Sequence, residues 1–192
     1  MHVGIDYGSK LAGTTVITWN ENHTLKQSSS LPKRDADKFL LEIILDLKPE
    51  SIFIDAPLSL PKVYCGRGDD YHYRECDRAL SAMSPMFLGG LTARAMKIAS
   101  MFKRNEIFVY ETYPKGLVQQ NEVLSSLYTK KDSSCIPKLI SELDSLTEQY
   151  NLPKSIDTMH HLDSLLAWIS GYRFQNDKHL EFGSKEEGII II

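Results

Sequence analysis

Three acidic side chains stand at or near the ends of short apolar runs. The acids and their runs are Asp6 in Val3–Tyr7, Asp55 in Ile52–Ala56 and Glu111 in Ile107–Thr112. Runs of this length, flanked by Gly, Pro or charge, are typical of buried and parallel strands. A charge at the end of a buried strand is costly unless something compensates it, and ligands of open α/β sheets bind at the carboxyl ends of the strands. We therefore expect these acids to share one site, whose natural occupant is a hard divalent cation.

A fourth acid, Asp163, lies in a C-terminal stretch with helical periodicity. A spacing of three and four residues places His160, Asp163 and Leu166 on one face of that helix. The face is partly apolar, so we expect Asp163 to point toward the sheet. A neutral His160 can bind a metal ion or orient a water molecule, or it can be a buried or capping histidine. The expected helix cap is Asp157 or Thr158.

Each strand-end acid also has a purely structural interpretation. Asp6 can accept backbone N–H groups from the turn at Gly8–Lys10, and Asp55 can cap or turn the chain before Pro57. Glu111 can form an ion pair with a nearby arginine or lysine. The residue types alone leave these alternatives open.

The bulk composition fits a single globular domain. The chain has 192 residues, 42% of them hydrophobic and 24% charged, with a formal net charge of -3. It can bury a substantial core, and the net charge gives no global signature of nucleic-acid binding. Three cysteines without metal-ligand spacing indicate reduced thiols and a cytoplasmic location. With neither a signal peptide nor a long apolar span, we expect no membrane association.

A basic segment interrupts this otherwise acidic chain. Between Lys62 and Arg104 there are eight basic and four acidic residues, so the local formal charge is 8 − 4 = +4. Tyrosines interleaved with the basic residues can stack on bases. Arg74 and Arg78 are one helical turn apart and can clamp a phosphate. The alternative is an ordinary solvated surface. The candidates for binding substrate are Lys10, Arg74, Arg78 and Arg94.

The order of the elements predicts a mixed α/β sheet. Three antiparallel strands precede a helix, a strand, an irregular insert at about 58–105, a further strand and more helices. Hairpin strands followed by crossover helices give a five-stranded sheet with helices packed against it, within one domain over 1–192. The predicted strands are 3–7, 13–19, 23–28, 51–56 and 107–112, and the predicted helices are 35–47, 73–82, 92–103, 136–149 and 159–173. The apolar tail Gly188–Ile192 is either a terminal strand or an aggregation-prone end.

Several short motifs resemble a known family when they are taken in order. The motifs are Gly4-Ile5-Asp6-Tyr7-Gly8-Ser9-Lys10, Ile54-Asp55-Ala56-Pro57-Leu58, Arg74-Glu75-Cys76-Asp77-Arg78, Glu111-Thr112-Tyr113-Pro114, His161-Leu162-Asp163-Ser164-Leu165 and Glu186-Glu187-Gly188. The first resembles the first strand of RNase H-like domains of the Holliday-junction-resolvase type. Together, the motifs resemble a domain-of-unknown-function family described as predicted RNase H-like nucleases, over most of the chain.

The resemblance implies an RNase H-like fold and divalent-metal-dependent hydrolysis of phosphodiester bonds in DNA or RNA. It implies Mg²⁺ or Mn²⁺ held by Asp6, Asp55, Glu111 and Asp163, with His160 as a further catalytic residue. Related resolvases carry two acids three residues apart on the last helix. Here the earlier of those positions is His160, which favours Mn²⁺ slightly.

Two other functions compete with the nuclease. A non-catalytic module would keep the fold and bind nucleic acid through the basic insert. A nucleotide-binding domain of the actin and sugar-kinase type would use 6–8 as a phosphate loop. Such proteins pair two domains, whereas this chain has one Asp-x-Gly unit after a strand and is short for a pair. The oligomeric state is left open by the sequence.

Overall fold

The computed structural model describes residues 1–128, 133–144, 147, 149–153 and 155–192. These residues form a seven-stranded mixed sheet in the order β3-β2-β1-β4-β5-β7-β6. The strands are β1 (His2–Asp6), β2 (Val16–Glu21), β3 (Thr24–Ser29), β4 (Ser51–Asp55), β5 (Phe108–Thr112), β6 (Glu181–Ser184) and β7 (Gly188–Ile191). The helices are α1 (Ala36–Leu47), α2 (Glu75–Leu80), α3 (Pro85–Leu88), α4 (Gly90–Lys103), α5 (Pro114–Val118), α6 (Glu122–Leu127), α7 (Ile136–Asp144) and α8 (Met159–Gln175).

The predicted α/β class, with three antiparallel strands followed by parallel ones, is confirmed. β1, β2 and β3 form an antiparallel meander, and β4 and β5 extend the sheet in parallel from β1. The sheet has seven strands rather than the predicted five because the hairpin β6–β7 adds to its edge, with β7 parallel to β5. β6 is short and its sequence, EFGS, shows little apolar character. The apolar tail Gly188–Ile192, which the sequence left open, forms β7 over Gly188–Ile191.

Local signals set the helix boundaries. Asp35 caps α1 by accepting the backbone N–H groups of Asp37 and Lys38, and Lys48 ends the helix in a left-handed conformation before Pro49. Thr158 caps α8 by accepting the N–H of His161. The insert holds α2, α3 and α4. The helix predicted over 136–149 ends at Asp144, and its predicted last turn falls partly outside the described residues.

Helices cover both faces of the sheet. α1 and α4 pack on the side chains of Val3, Ile5, Ile52 and Ile54, which alternate with those of Gly4 and Phe53 on the other face. On that second face lies α8, buried on all sides from Leu162 to Gly171. α8 therefore crosses the centre of the fold, and its first turn lies over the carboxyl ends of β1 and β4. Among the described residues, no helix has both the length and the apolar character needed to cross a membrane.

Candidate metal centre

The carboxylates of Asp6, Asp55 and Asp163 converge at one point. Each offers an oxygen atom, and these three atoms all lie within 4.8 Å of one another. Asp6 and Asp55 are register partners in neighbouring parallel strands, so both side chains leave the sheet on the same face. Asp163 comes from the start of the second turn of α8, which covers that face. The convergence expected from the sequence is present for these three acids.

Gly4 lets α8 come close enough to complete this cluster. A Cβ atom at position 4 would lie 2.1 Å from the backbone N of Trp168 and 2.5 Å from the backbone O of Ser164. Only a residue without a side chain allows β1 and α8 to approach so closely. The approach brings Asp163 beside Asp6.

Two further side chains contact the cluster. His160 Nδ1 lies 2.7 Å from Asp6 Oδ2, and the ring is 47% exposed. The buried hydroxyl of Tyr128 donates a hydrogen bond of 2.5 Å to Asp163 Oδ1. Burial, followed by the charge of Asp163 and this hydrogen bond, raises the pKa of Tyr128 far above its ordinary value. The hydroxyl of Tyr128 therefore keeps its proton and donates this hydrogen bond. Asp6 and Asp163 are thus each contacted by a different side chain.

Glu111 does not join the cluster, which corrects the expectation of a four-acid site. Its register partner is Ile54, the residue before Asp55, so its side chain leaves the sheet on the opposite face from Asp55. There it accepts hydrogen bonds from Arg74 Nη2 at 2.6 Å, Arg74 Nη1 at 2.8 Å and the backbone N of Leu58 at 2.8 Å. Burial raises the pKa of Glu111, and Arg74 opposes that rise. Glu111 thus forms an ion pair with an arginine, which was the structural alternative for this residue.

Arg74 is a buried structural side chain, and the structure does not place it as half of a phosphate clamp. It is 1% exposed and also binds Asp77 through Nε at 3.0 Å and Nη2 at 2.6 Å. Burial lowers its pKa, but the hydrogen bonds with Glu111 and Asp77 and the charge of Glu111 outweigh burial and raise it. Arg78 is 62% exposed, pairs with Asp70 and lies over the ring of Tyr73. The two arginines are therefore in different environments although they are one helical turn apart: Arg74 is buried and Arg78 is exposed.

The other two candidate basic residues lie on the loop after β1 and on the helix beside it. Arg94, from α4, donates to both oxygens of Asp37, at 2.6 and 3.1 Å, and to the backbone O of Gly8 at 3.2 Å. Its guanidinium also lies over the ring of Tyr7. Lys10 is half-exposed and pairs with Asp35 at 3.2 Å. Both residues hold the loop that follows Asp6 in place. Substituting either one would therefore change ligand binding partly by moving that loop.

A cavity of about 340 Å³ opens beside the carboxylates, at the ends of β1, β4 and β5. Asp6 and Asp55 line it, and so do Arg74, Asp77 and Glu111 of the buried ion network. The insert, which we expected to supply a basic surface, contributes an apolar wall that includes Met83 and Leu91. Lys115, in the first turn of α5, also lines the cavity.

Sequence reasoning missed Tyr128, Thr112 and Lys115. Nothing local marks Tyr128, which follows α6 and lies 35 residues before its partner Asp163. The sequence gives no reason to choose Thr112 over Glu111, because that choice depends on the register between strands. In the β4–β5 register Glu111 is opposite Ile54, so Thr112 follows on the face that carries Asp55.

The cluster has the chemistry of a hard-cation site. Three carboxylates whose oxygens lie within 4.8 Å of one another repel when ionised, and a bound cation removes that repulsion. An all-oxygen donor set suits Mg²⁺ or Mn²⁺ better than softer metals. Hydrogen bonds from His160 and Tyr128 are of the kind that orient ligating carboxylates.

Comparisons with protein-family models, curated proteins and solved structures found no significant match to this chain.

Proposed function

We propose that this chain is an RNase H-like, divalent-metal-dependent phosphodiesterase that hydrolyses nucleic acid. The observation that carries the proposal is the convergence of three aspartates at the carboxyl ends of two adjacent parallel strands and the start of a covering helix. The strand arrangement β3-β2-β1-β4-β5 supports the RNase H-like assignment that the sequence motifs imply. The β6–β7 hairpin is then an addition at the sheet edge.

Asp6, Asp55 and Asp163 would hold Mg²⁺ or Mn²⁺. A metal ion in such a site supplies an activated water and stabilises charge on phosphorus and on the leaving oxygen. The protein's part is to fix the three carboxylates before substrate arrives, and the fold does so with Gly4, Tyr128 and His160. His160 is half-exposed and contacts Asp6, which supports a role in orienting that carboxylate.

The apolar and basic side chains that line the cavity lie beside Asp6 and Asp55, where a substrate would bind. Nucleic acid would approach from the strand ends, where Lys115 lines the cavity and Arg94 holds the loop after Asp6. Cys65 and Cys76 are free thiols, which supports a reducing, cytoplasmic location.

The substitution Asp6→Asn tests the proposal. Asn keeps the shape of the side chain and removes its charge, so cleavage should be lost without unfolding. Because carboxylate repulsion is relieved, the metal-free Tm should hold or rise. Mn²⁺ at a hundredfold excess over Kd should stabilise wild type by about 2.7 kcal/mol, or roughly 5–10 °C, and should stabilise the variant much less.

The measurements are cleavage of a panel of DNA and RNA substrates, and Tm with and without Mn²⁺. Asp46→Asn is the matched control, because Asp46 is exposed on α1 and should leave both readouts unchanged. Equal Mn²⁺ stabilisation of wild type and Asp6→Asn would exclude Asp6 as a ligand. If wild type cleaves nothing on the panel but still binds nucleic acid, the non-catalytic binding module takes its place.

A further inference from the structure

The cavity beside the carboxylates combines surfaces that the metal centre itself does not use. We call it the strand-end pocket and define it by Ala82, Met83, Leu88, Leu91, Thr112 and Lys115, which line it together with Asp6 and Asp55. The first four are apolar and come from the insert, between the end of α2 and the start of α4. Met83 is 60% exposed, so an apolar side chain stands at the edge of this pocket in contact with solvent. An apolar wall beside the carboxylates of Asp6 and Asp55 indicates a ligand that is not uniformly charged.

Thr112 provides a polar group that the fold leaves unused. The residue is 2% exposed, and within the described part of the chain its Oγ1 atom has no hydrogen-bond partner. A buried hydroxyl without a partner is unfavourable and uncommon in native proteins. The strand register puts Thr112 on the same face as Asp6 and Asp55. A ligand seated in the pocket can offer this hydroxyl the partner that the protein does not.

Lys115 provides a positive charge. It is half-buried in the first turn of α5, and no ion pair engages its ammonium group among the described residues. Arg74, the other basic residue that lines the pocket, is held by Asp77 and Glu111. Lys115 is therefore the basic side chain of the pocket best able to meet an anion beside the aspartates.

We infer that the strand-end pocket binds one unpaired nucleotide of the substrate, so that the enzyme acts on single-stranded or locally unpaired nucleic acid. This inference rests on the proposed function. At about 340 Å³ the cavity lies at the small end of the usual range for ligand pockets, about 300–1,000 Å³. A base packs its flat apolar faces against the insert and its polar edge against Thr112, while Lys115 binds a backbone phosphate. A base held in a duplex cannot enter a concave pocket without being extruded from the stack.

The test measures binding in the presence of Ca²⁺, so that it does not depend on cleavage. The probes are a short fluorescein-labelled single strand, as DNA and as RNA, and a blunt duplex of the same sequence. Wild type should bind at least one of the single strands about tenfold more tightly than the duplex, as expected if pairing must be broken before the pocket is filled.

Two variants test the pocket residues. Thr112→Val should weaken single-strand binding about fivefold, the effect of one neutral hydrogen bond. It should also raise Tm, because an unpartnered hydroxyl is replaced by a methyl group. Lys115→Met should reduce the slope of log K against log salt by roughly 0.7, the value for one phosphate contact on a single strand. Lys178→Met, an exposed lysine after the far end of α8, is the control and should change neither affinity nor slope.

Equal affinity for duplex and single strands, or pocket variants that behave like Lys178→Met, would overturn the inference, as would a failure to bind any probe. The two proposals fail separately. Cleavage that depends on Asp6 but ignores strandedness would leave the metal centre standing and remove the pocket. Binding that requires Thr112 and Lys115 in a protein that cleaves nothing would leave the pocket standing and remove the proposed catalysis.

Discussion

Two of the three aspartates of the cluster contact side chains that orient them. Asp6 contacts His160, and Asp163 accepts a hydrogen bond from Tyr128. Outer contacts of this kind fix the rotamer of a ligating side chain, and their loss typically weakens metal binding by about 10–100-fold. The convergence of oxygens within 4.8 Å is therefore a property of the neighbours as well as of the acids.

Tyr128→Phe tests this dependence at the level of one hydroxyl group. The change removes the donor to Asp163 and keeps the aromatic ring. We expect Mn²⁺ affinity to fall by about tenfold, measured by the Mn²⁺-dependent rise in Tm or by titration calorimetry. Tyr172→Phe removes a hydroxyl from a tyrosine that stacks on Trp168, away from the cluster, and is the control. Unchanged Mn²⁺ affinity in Tyr128→Phe would mean that packing of α8 alone positions Asp163.

At the scale of elements, the site depends on how closely β1 and α8 pack. β1 supplies Asp6 as its last residue, and α8 supplies His160 and Asp163 from its first two turns. The two elements touch at Gly4, where Trp168 and Ser164 occupy the space of a side chain. Any residue larger than glycine must push the helix away from the strand, because the obstructing atoms belong to the backbone.

Gly4→Ala should therefore damage both stability and metal binding. Overpacking of this kind typically costs about 1–3 kcal/mol, and the shift of α8 should move Asp163 away from Asp6 and reduce stabilisation by Mn²⁺. The readouts are chemical denaturation and the Mn²⁺-dependent change in Tm. Gly90→Ala is the control, since a Cβ at that position meets nothing within 4 Å. Full Mn²⁺ stabilisation of a destabilised Gly4→Ala would separate the close packing from the assembly of the site.

At the scale of the whole molecule, a buried polar network ties the insert and the C-terminal hairpin to the sheet. Arg74, the residue that caps α2, binds Glu111 on β5 and donates to Ser59 Oγ at 2.8 Å. Ser59 in turn donates to the backbone O of Glu187, which lies in the turn between β6 and β7. The carboxylate of Glu187 accepts the backbone N–H groups of Lys62 and Glu75 at 2.8 and 2.9 Å. The segments that wall the pocket are thus fixed by a buried ion network, of which Arg74, Asp77 and Glu111 also line the pocket.

Substitution of Arg74, which caps α2, should destabilise the protein far more than substitution of Arg78, which lies within α2. Arg74→Met leaves the carboxylates of Asp77 and Glu111 buried without their cation, so we expect a loss of about 3–5 kcal/mol in the free energy of unfolding. Arg78→Met removes an exposed pair with Asp70 and should have little effect on stability. Denaturant unfolding of both variants is the measurement. Equal stability of the two would contradict a structural role for the Arg74 network.

Much of this arrangement was predictable from local sequence. Apolar runs bounded by Gly, Pro or charge located β1, β4 and β5 and showed that each ends in or near an acid. Capping residues located the start of α1 and, with Thr158, that of α8. The mixed sheet followed from the order of these elements. The hairpin β6–β7 did not, because β6 carries too little apolar periodicity to be recognised.

The sequence by itself determined which residues can carry charge at strand ends, because that follows from composition and periodicity within a few residues. Only the tertiary structure decided which of them meet. A side chain's face depends on the register between strands, and an offset of one residue moves it to the other face. That offset separates Glu111, paired with Arg74, from Thr112, which shares the face of Asp6 and Asp55. Register and the distance between β1 and α8 are set by packing across the whole domain, which no local pattern records.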